Sequence, residues 1–154
     1  MSEDARFEDG DEAPLRVRAF DGEDLQVVSA LVQDAVFPIT EVRWQRSARR
    51  FAILLNRFRW EREGVFGPER VQAVLAIEDA VHVASQGIDR AAEDLVLSVL
   101  SIAFEAGEDG GGQIVLTLAG DGALSVVVEA LEVTLTDVTR PYSAPSGKTP
   151  SHPD

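Results

Sequence analysis

Apolar and polar residues alternate with a period of two along most of the chain, and one early segment shows a helical period instead. In that segment Leu25, Val28, Val32 and Ala35 recur at the spacing of one helix face, which Leu31 widens. Asp21 precedes them and is a good N-cap residue, because its side chain can accept a hydrogen bond from a free backbone N–H of the first turn. The pattern predicts an amphipathic helix with one buried face, which Pro38 ends.

A β-hairpin is predicted next, formed by residues 39–45 and 51–60. A turn near residues 47–48 places Trp44 opposite Phe51 and gives the two strands a common apolar face.

The alternation of this hairpin inverts beyond residue 55. A strict period of two would direct Arg57 and Arg59 into the core, with Phe58 and Trp60 outside. A β-bulge at residues 55–56 would restore the two aromatic residues to the core and turn both arginines to solvent. We favour the bulge, because two unpaired buried guanidinium groups would cost several kcal/mol each.

The rest of the chain is predicted to be mostly strand, with one helical turn at residues 89–93. The predicted strands are residues 71–77, 81–86, 114–119 and 124–128, and a strand is also favoured for residues 96–104, which fit a helix as well. Residues 131–139 fit either a strand or a C-terminal helix. The expected fold class is α+β and mostly antiparallel β. The expected architecture is a single-domain barrel or roll, for which a pleckstrin-homology-like arrangement would fit, with an N-terminal helix.

The composition divides the chain into one globular domain and two tails. Residues 1–13 carry six acids, and residues 141–154 hold four of the seven prolines. Neither segment has enough apolar surface to offset the entropy of ordering. We therefore expect disordered tails at 1–13 and 141–154, and one domain at 14–140.

Several classes of chemistry are excluded or disfavoured by the residues present. The chain has no cysteine, which excludes disulfides, thiolate catalysis and thiolate metal sites. Its two histidines are His82, expected on a solvated strand face, and His152 in the C-terminal tail. No phosphate-binding loop or catalytic triad is found. We expect no catalytic residue, no metal and no cofactor. No signal or membrane-spanning segment is found either, and a cytoplasmic location is expected.

Charge is strongly segregated along the chain. The net charge is −13, yet residues 43–62 contain seven arginines and one acid. This hairpin is the one candidate site, an anion- or partner-binding surface of arginines and tryptophans: Arg43, Arg46, Arg49, Arg50, Arg57, Arg59, Arg62, Trp44 and Trp60. An acidic protein or an anionic small molecule would suit it, whereas the anionic remainder argues against nonspecific nucleic-acid binding.

Segments spread over the whole predicted domain resemble an uncharacterised family of small bacterial proteins, the domain of unknown function 2948. The resemblance is carried by DLQVVSALVQDA (24–35), LLNRFRWE (54–61), VQAVL (71–75), VASQGID (83–89), LSVLSI (97–102), LTLAGDG (116–122) and DVTRPY (137–142). It implies a bacterial cytosolic origin and brings with it no activity, cofactor or catalytic residue.

The leading hypothesis for function is therefore a small, non-enzymatic binding or scaffold domain that recognises an anionic partner through its arginine-rich hairpin. One alternative is a small enzyme for an anionic substrate, with Arg57 and Arg59 holding the substrate. A second alternative is a structural domain that forms homo-oligomers through an exposed strand edge or a tryptophan face. A solvated hairpin whose arginines pair with neighbouring acids is the competing interpretation of the charge pattern.

Overall fold

A computed structural model describes residues 14–62, 69–140 and 142–143 of the chain. Within these residues there is one α-helix, α1 (Gly22–Val32), and there are two short 3₁₀ helices, Ile39–Glu41 and Trp60–Arg62. The strands in chain order are β1 (Arg16–Ala19), β2 (Val36–Pro38), β3 (Val42–Gln45), β4 (Arg50–Phe58), β5 (Glu69–Ile77), β6 (Ala80–Gln86), β7 (Val96–Ala106), β8 (Gly112–Leu118), β9 (Ala123–Val128), β10 (Val133–Asp137) and β11 (Tyr142–Ser143).

The strands form an open antiparallel sheet. Its hydrogen-bonded order is β1-β10-β5-β4-β2-β7-β8-β9-β6, with β3 added to β4 and β11 to β5. The mostly antiparallel α+β class is therefore confirmed. The barrel is not supported, because the path of described strands ends at β1 and β6 and does not close. The pleckstrin-homology-like arrangement is not confirmed.

The N-terminal helix forms where it was predicted and begins as expected. Asp21 has an extended backbone, and its carboxylate accepts a hydrogen bond from the backbone N–H of Asp24 at 2.8 Å. The helix ends at Val32, before Pro38, which corrects the predicted end. The cause is Asp34, which adopts a left-handed φ of 66° and donates its N–H to the carbonyl of Val99 at 2.9 Å.

The hairpin of β3 and β4 has the predicted register, with Trp44 paired with Phe51 and Val42 with Ile53. The predicted bulge at residues 55–56 is absent. β4 instead pairs with β5 without interruption from Phe51 to Phe58. Burial therefore alternates up to Arg57, which points inward, and Phe58 after it is buried as well, as predicted for this aromatic residue.

The remaining strands confirm most of the alternation pattern. Residues 131–139 contain strand β10, so the alternative of a C-terminal helix is wrong. Residues 89–93 form turns without a helix. Residues 1–13 lie outside the described residues, as does most of 141–154, so the predicted tails stay predictions.

One hydrophobic core lies between α1 and one face of the sheet. Leu25, Val28 and Val32 of α1 are almost completely buried in it, together with inward residues of β4 and β8 such as Ile53 and Leu116. Since an amphipathic helix and a one-sided sheet each need a partner for their apolar faces, this packing satisfies both. It leaves the outer sheet face and the strand edges as the places where a site can form.

Candidate functional site

The predicted arginine surface is divided between two ends of strand β4. Arg50 and Arg57 are seven residues apart on this strand, which corresponds to roughly 23 Å along an extended chain. Arg43, Arg46, Arg49 and Arg50 lie around the hairpin tip, whereas Arg57 and Arg59 lie at the opposite end. The structure therefore does not bring the predicted residues together in one site. The side chain of Arg62 lies outside the described part.

Arg57 is completely buried, and all five of its N–H groups have acceptors. Its Nε and one Nη atom donate to the two carboxylate oxygens of Asp137 at 2.9 and 3.0 Å. Both Nη atoms donate to Glu61, at 2.9 and 2.7 Å, and the last N–H reaches the carbonyl of Phe58 at 3.3 Å. This double bidentate arrangement uses the complete donor set of the guanidinium group, so no donor remains for a ligand.

The opposite charges of this cluster stabilise each other's ionised forms. Burial disfavours a charged Arg57, but the hydrogen bonds to Glu61 and Asp137 and their negative charges outweigh it, so the pKa of Arg57 is raised above its ordinary value. Burial also acts against ionised Glu61, yet the hydrogen bond and positive charge of Arg57 leave the pKa of Glu61 lowered. Arg57 and Glu61 are therefore both charged at neutral pH.

Asp137 extends the cluster to the N-terminal edge of the sheet. One of its carboxylate oxygens accepts the backbone N–H of Leu15 at 3.1 Å, and its own N–H donates to the carbonyl of Leu15 at 2.9 Å. The cluster thus joins β4, β10, the chain before β1 and the 3₁₀ turn of Glu61. It holds the fold together.

Arg59 and Trp60 also have structural contacts. Arg59 is 4% exposed and donates to Glu69 at 2.5 Å. The indole N–H of Trp60 donates a hydrogen bond of 2.9 Å to the carbonyl of Gln33, just after α1. The Trp60 and Phe58 rings pack edge to face, with their centroids 4.7 Å apart. The prediction that Arg57 and Arg59 face solvent is therefore wrong. The prediction assumed that a buried arginine would have no acidic partner, but in the folded chain Asp137 and Glu61 pair with Arg57, and Glu69 pairs with Arg59.

The arginines of the hairpin tip are exposed, and three of them have acid neighbours. Arg49 pairs with Glu129 through a short contact, and Arg50 pairs with Glu78 at 3.2 Å. The third, Arg43, donates to the carbonyl of Thr40 and lies 3.9 Å from Glu41. Because these side chains are largely solvated, each pair is weak and can be exchanged for another anion.

Arg46 differs from its neighbours in having no ion-pair partner among the described residues, although it is exposed. It lines a surface depression of about 320 Å³ between the hairpin tip and the first half of β6. Trp44 forms one side of this depression and packs partly against the core. The other lining residues are Arg49, Ala80, Val81, His82 and Val83. This depression, called the tip cleft below, has two arginines and no carboxylate in its lining.

A second depression of about 690 Å³ lies beside the β7–β8 loop. It is acidic, with Glu105, Glu108, Asp109 and Glu129 among its lining residues, and no arginine lines it. Neither depression combines an arginine with a carboxylate. The arrangement that an acid–base enzyme for an anionic substrate would need is therefore absent from both.

His82 and its neighbours on β6 were not predicted to belong to a site. The alternation of β6 correctly indicated an exposed histidine, and the structure shows one. Its proximity to the arginines arises from the tight turn at Glu78 and Asp79 and from a hydrogen bond that the Ala80 N–H donates to the Arg49 carbonyl at 3.0 Å. No local sequence signal pairs β6 with the hairpin tip.

An open antiparallel sheet with one helix and a solvated arginine cleft defines a small α+β domain without a recognised catalytic arrangement in its described part. The chain belongs to a family described as "Protein of unknown function (DUF2948)", which matches residues 15–152. No curated protein and no solved structure matches the chain. None of the helices in the described ranges is long and apolar enough to cross a membrane.

Proposed function

We propose that this protein is a non-enzymatic binding domain whose tip cleft recognises an anionic group. The observation that carries the proposal is Arg46, an exposed arginine beside Trp44 whose charge no described acid neutralises. An arginine next to an aromatic ring suits a carboxylate or phosphate, because the planar guanidinium can donate two parallel hydrogen bonds while the ring covers an apolar part of the ligand.

The neighbouring ion pairs make the cleft adaptable. Arg49 is 45% exposed and its partner Glu129 is 63% exposed, so an incoming anion can replace Glu129 without leaving a buried charge behind. Arg57, Arg59 and Trp60 are not part of this proposed site, since each of them donates hydrogen bonds within the fold, away from the tip cleft. The partner class is an acidic protein segment or a small anion, in a cytoplasmic setting.

The experiment compares two charge reversals, Arg46→Glu in the cleft and Arg90→Glu as its matched control. Arg90 is an exposed loop arginine outside the hairpin, and it too has no ion pair within the described part. Titrations at low ionic strength would use a fluorescently labelled oligoglutamate peptide and, in a separate arm, inorganic pyrophosphate. The two arms distinguish an acidic protein segment from a small anion.

Reversal of one solvated contact should weaken binding of at least one probe roughly twofold to thirtyfold. The Arg90 variant should bind like the wild type. Equal affinities for wild type and Arg46→Glu, or the same loss in both variants, would refute the proposal.

A further inference from the structure

Strand β6 is an unprotected edge. It pairs with β9 and with no other described strand, and Val81 on it is 44% exposed. After a bulge near Val81, the regular stretch from His82 to Gln86 contains no Asp, Glu, Lys, Arg or proline. Natural sheets usually guard such edges with charges or prolines, because a free row of backbone groups invites another strand.

Other strand edges of this sheet do have such guards. The edge strand β1 carries Arg16 and Arg18, both exposed, and β3 carries exposed Arg43. The absence of a guard on β6 is therefore a local feature.

The sheet face next to this edge is almost free of charge. Registered outward residues across β6, β9, β8 and β7 form three rows, in which Glu105, at the margin, is the only Asp, Glu, Lys or Arg. The rows are Gln86, Ala123, Thr117 and Ser101; Ala84, Ser125, Val115 and Ala103; and His82, Val127, Gln113 and Glu105. In a chain of net charge −13, such a region allows another copy to approach with little repulsion.

Arginines lie beside the start of β6 and aspartates beside its end, with Glu78 and Asp79 directly before the strand and Arg90 directly after Asp89. At its start, the tip cleft places Arg46 and Arg49 beside residues 80–83. At its end, Gln86 pairs with Ala123, and the β8–β9 turn that precedes Ala123 brings Asp121 close to Gly87. A Cβ added to Gly87 would lie 2.8 Å from the Asp121 carbonyl oxygen. Asp89 follows two residues later. Antiparallel pairing of two identical strands places the start of one against the end of the other.

We propose that two copies of this chain associate through their β6 edges, antiparallel and centred on Ala84, with Arg46 and Arg49 of each copy facing Asp89 and Asp121 of the other. This inference rests on the proposed function and names its anionic partner, a second copy of the chain. The twofold arrangement makes the interface self-complementary and satisfies both edges at once.

The first test separates edge pairing from stacking of the uncharged faces. Ala84→Lys places two like charges opposite each other at the centre of the paired edges. Ala103→Lys is the matched control, an exposed alanine in the same row of the same face but on β7. Sedimentation across a dilution series of the full chain should show a dimer whose dissociation constant rises roughly tenfold in Ala84→Lys and stays unchanged in Ala103→Lys.

The second test concerns the charges at the ends. Asp89→Asn together with Asp121→Asn removes both charges, while the asparagines keep the side-chain acceptor for the Ala91 N–H and tolerate the left-handed φ of residue 121. This double variant and Arg46→Glu should each weaken the dimer several-fold. Their combination should cost less than the product of the two effects, because each removes the same attraction.

The outcomes distinguish the two proposals. A strictly monomeric mass at every concentration refutes the dimer, and so does a dimer that Ala103→Lys disrupts and Ala84→Lys does not. Dimerisation unaffected by the charge variants refutes the second copy as the partner of the tip cleft. In each of these cases, loss of oligoglutamate or pyrophosphate binding in Arg46→Glu would still support the proposed function.

Discussion

The buried Arg57 cluster provides the sharpest prediction of stability, through the substitution Arg57→Met. Methionine fills much of the volume of the arginine stem but removes the positive charge and all five donors. Asp137, whose side chain is 3% exposed, then loses its cation in a place that water does not reach. Glu61 is 28% exposed and can be solvated, so Asp137 carries most of the penalty.

Removal of one partner from a buried ion pair costs about 3–5 kcal/mol, because the other charge stays buried without compensation. That loss is a large part of the 5–15 kcal/mol by which domains are typically stable. For a chain of this size it corresponds to a fall in the melting temperature of roughly 6–20 °C. Urea unfolding followed by circular dichroism would measure the free energy of unfolding directly.

The matched control is Arg50→Met on the same strand. Arg50 pairs with Glu78 at 3.2 Å, but both side chains are substantially exposed, at 44% and 30%. Because water screens the pair and solvates the glutamate that is left, this substitution should cost no more than about 1 kcal/mol.

A rescue variant identifies the cause of the loss. In Arg57→Met with Asp137→Leu both members of the buried Arg57–Asp137 ion pair are removed. More than half of the lost stability should therefore return, although the Leu15 N–H loses its acceptor. Two results would contradict this account of the buried ion pair: Arg57→Met destabilises the protein no more than Arg50→Met does, or Asp137→Leu lowers the stability of the Arg57→Met variant further.

Three further predictions concern other contacts. The pKa of Glu61 is lowered on folding, so the stability that its charge contributes is complete above its unfolded pKa and is lost as pH falls through the lower folded pKa. The difference in unfolding free energy between wild type and Glu61→Gln should therefore shrink below about pH 4.3. Urea unfolding at a series of pH values would measure it, and a constant difference would contradict the prediction. Trp60→Phe keeps an aromatic ring, though a smaller one, and removes the hydrogen bond to the Gln33 carbonyl. It should cost at least about 1 kcal/mol in thermal unfolding, and an unchanged melting curve would be the contrary result. Asp21→Ala removes the acceptor for the Asp24 N–H and should cost about 0.5–2 kcal/mol, whereas Asp21→Asn should restore most of it.

Features that depend on neighbours in sequence were predictable. The N-cap at Asp21 and the stripe of α1 follow from a spacing within one helix. The pairing of Trp44 with Phe51 follows from alternation on both sides of a short turn. In each case the interacting residues lie a few positions apart, so the chain closes only a small loop and few alternative arrangements compete.

The candidate site could be predicted only in part, since charge clustering along a chain does not determine clustering in space. The window of residues 43–62 marked the tip arginines correctly as exposed, but the same window included Arg57 and Arg59. Glu61, inside the window, is one partner of Arg57. The other acids lie outside it: Asp137 is 80 residues beyond Arg57, and Glu69 is ten beyond Arg59. Without those partners the burial of an arginine is too costly, and a bulge becomes the more favourable interpretation.

The sequence by itself determined most of the longer strands, the start of the helix, the hairpin register and the polarised charge, because periodicity and turn residues act locally. It did not predict the short strands β1, β2 and β11. Only the tertiary structure decided that the sheet stays open, that Arg57 is inside, and that β6 lies beside Arg46 with its edge free. Alternation shows which face of a strand is apolar, but it contains no information about which strand is its neighbour. That choice depends on contacts between distant residues, which include the ion pairs that make a buried arginine stable.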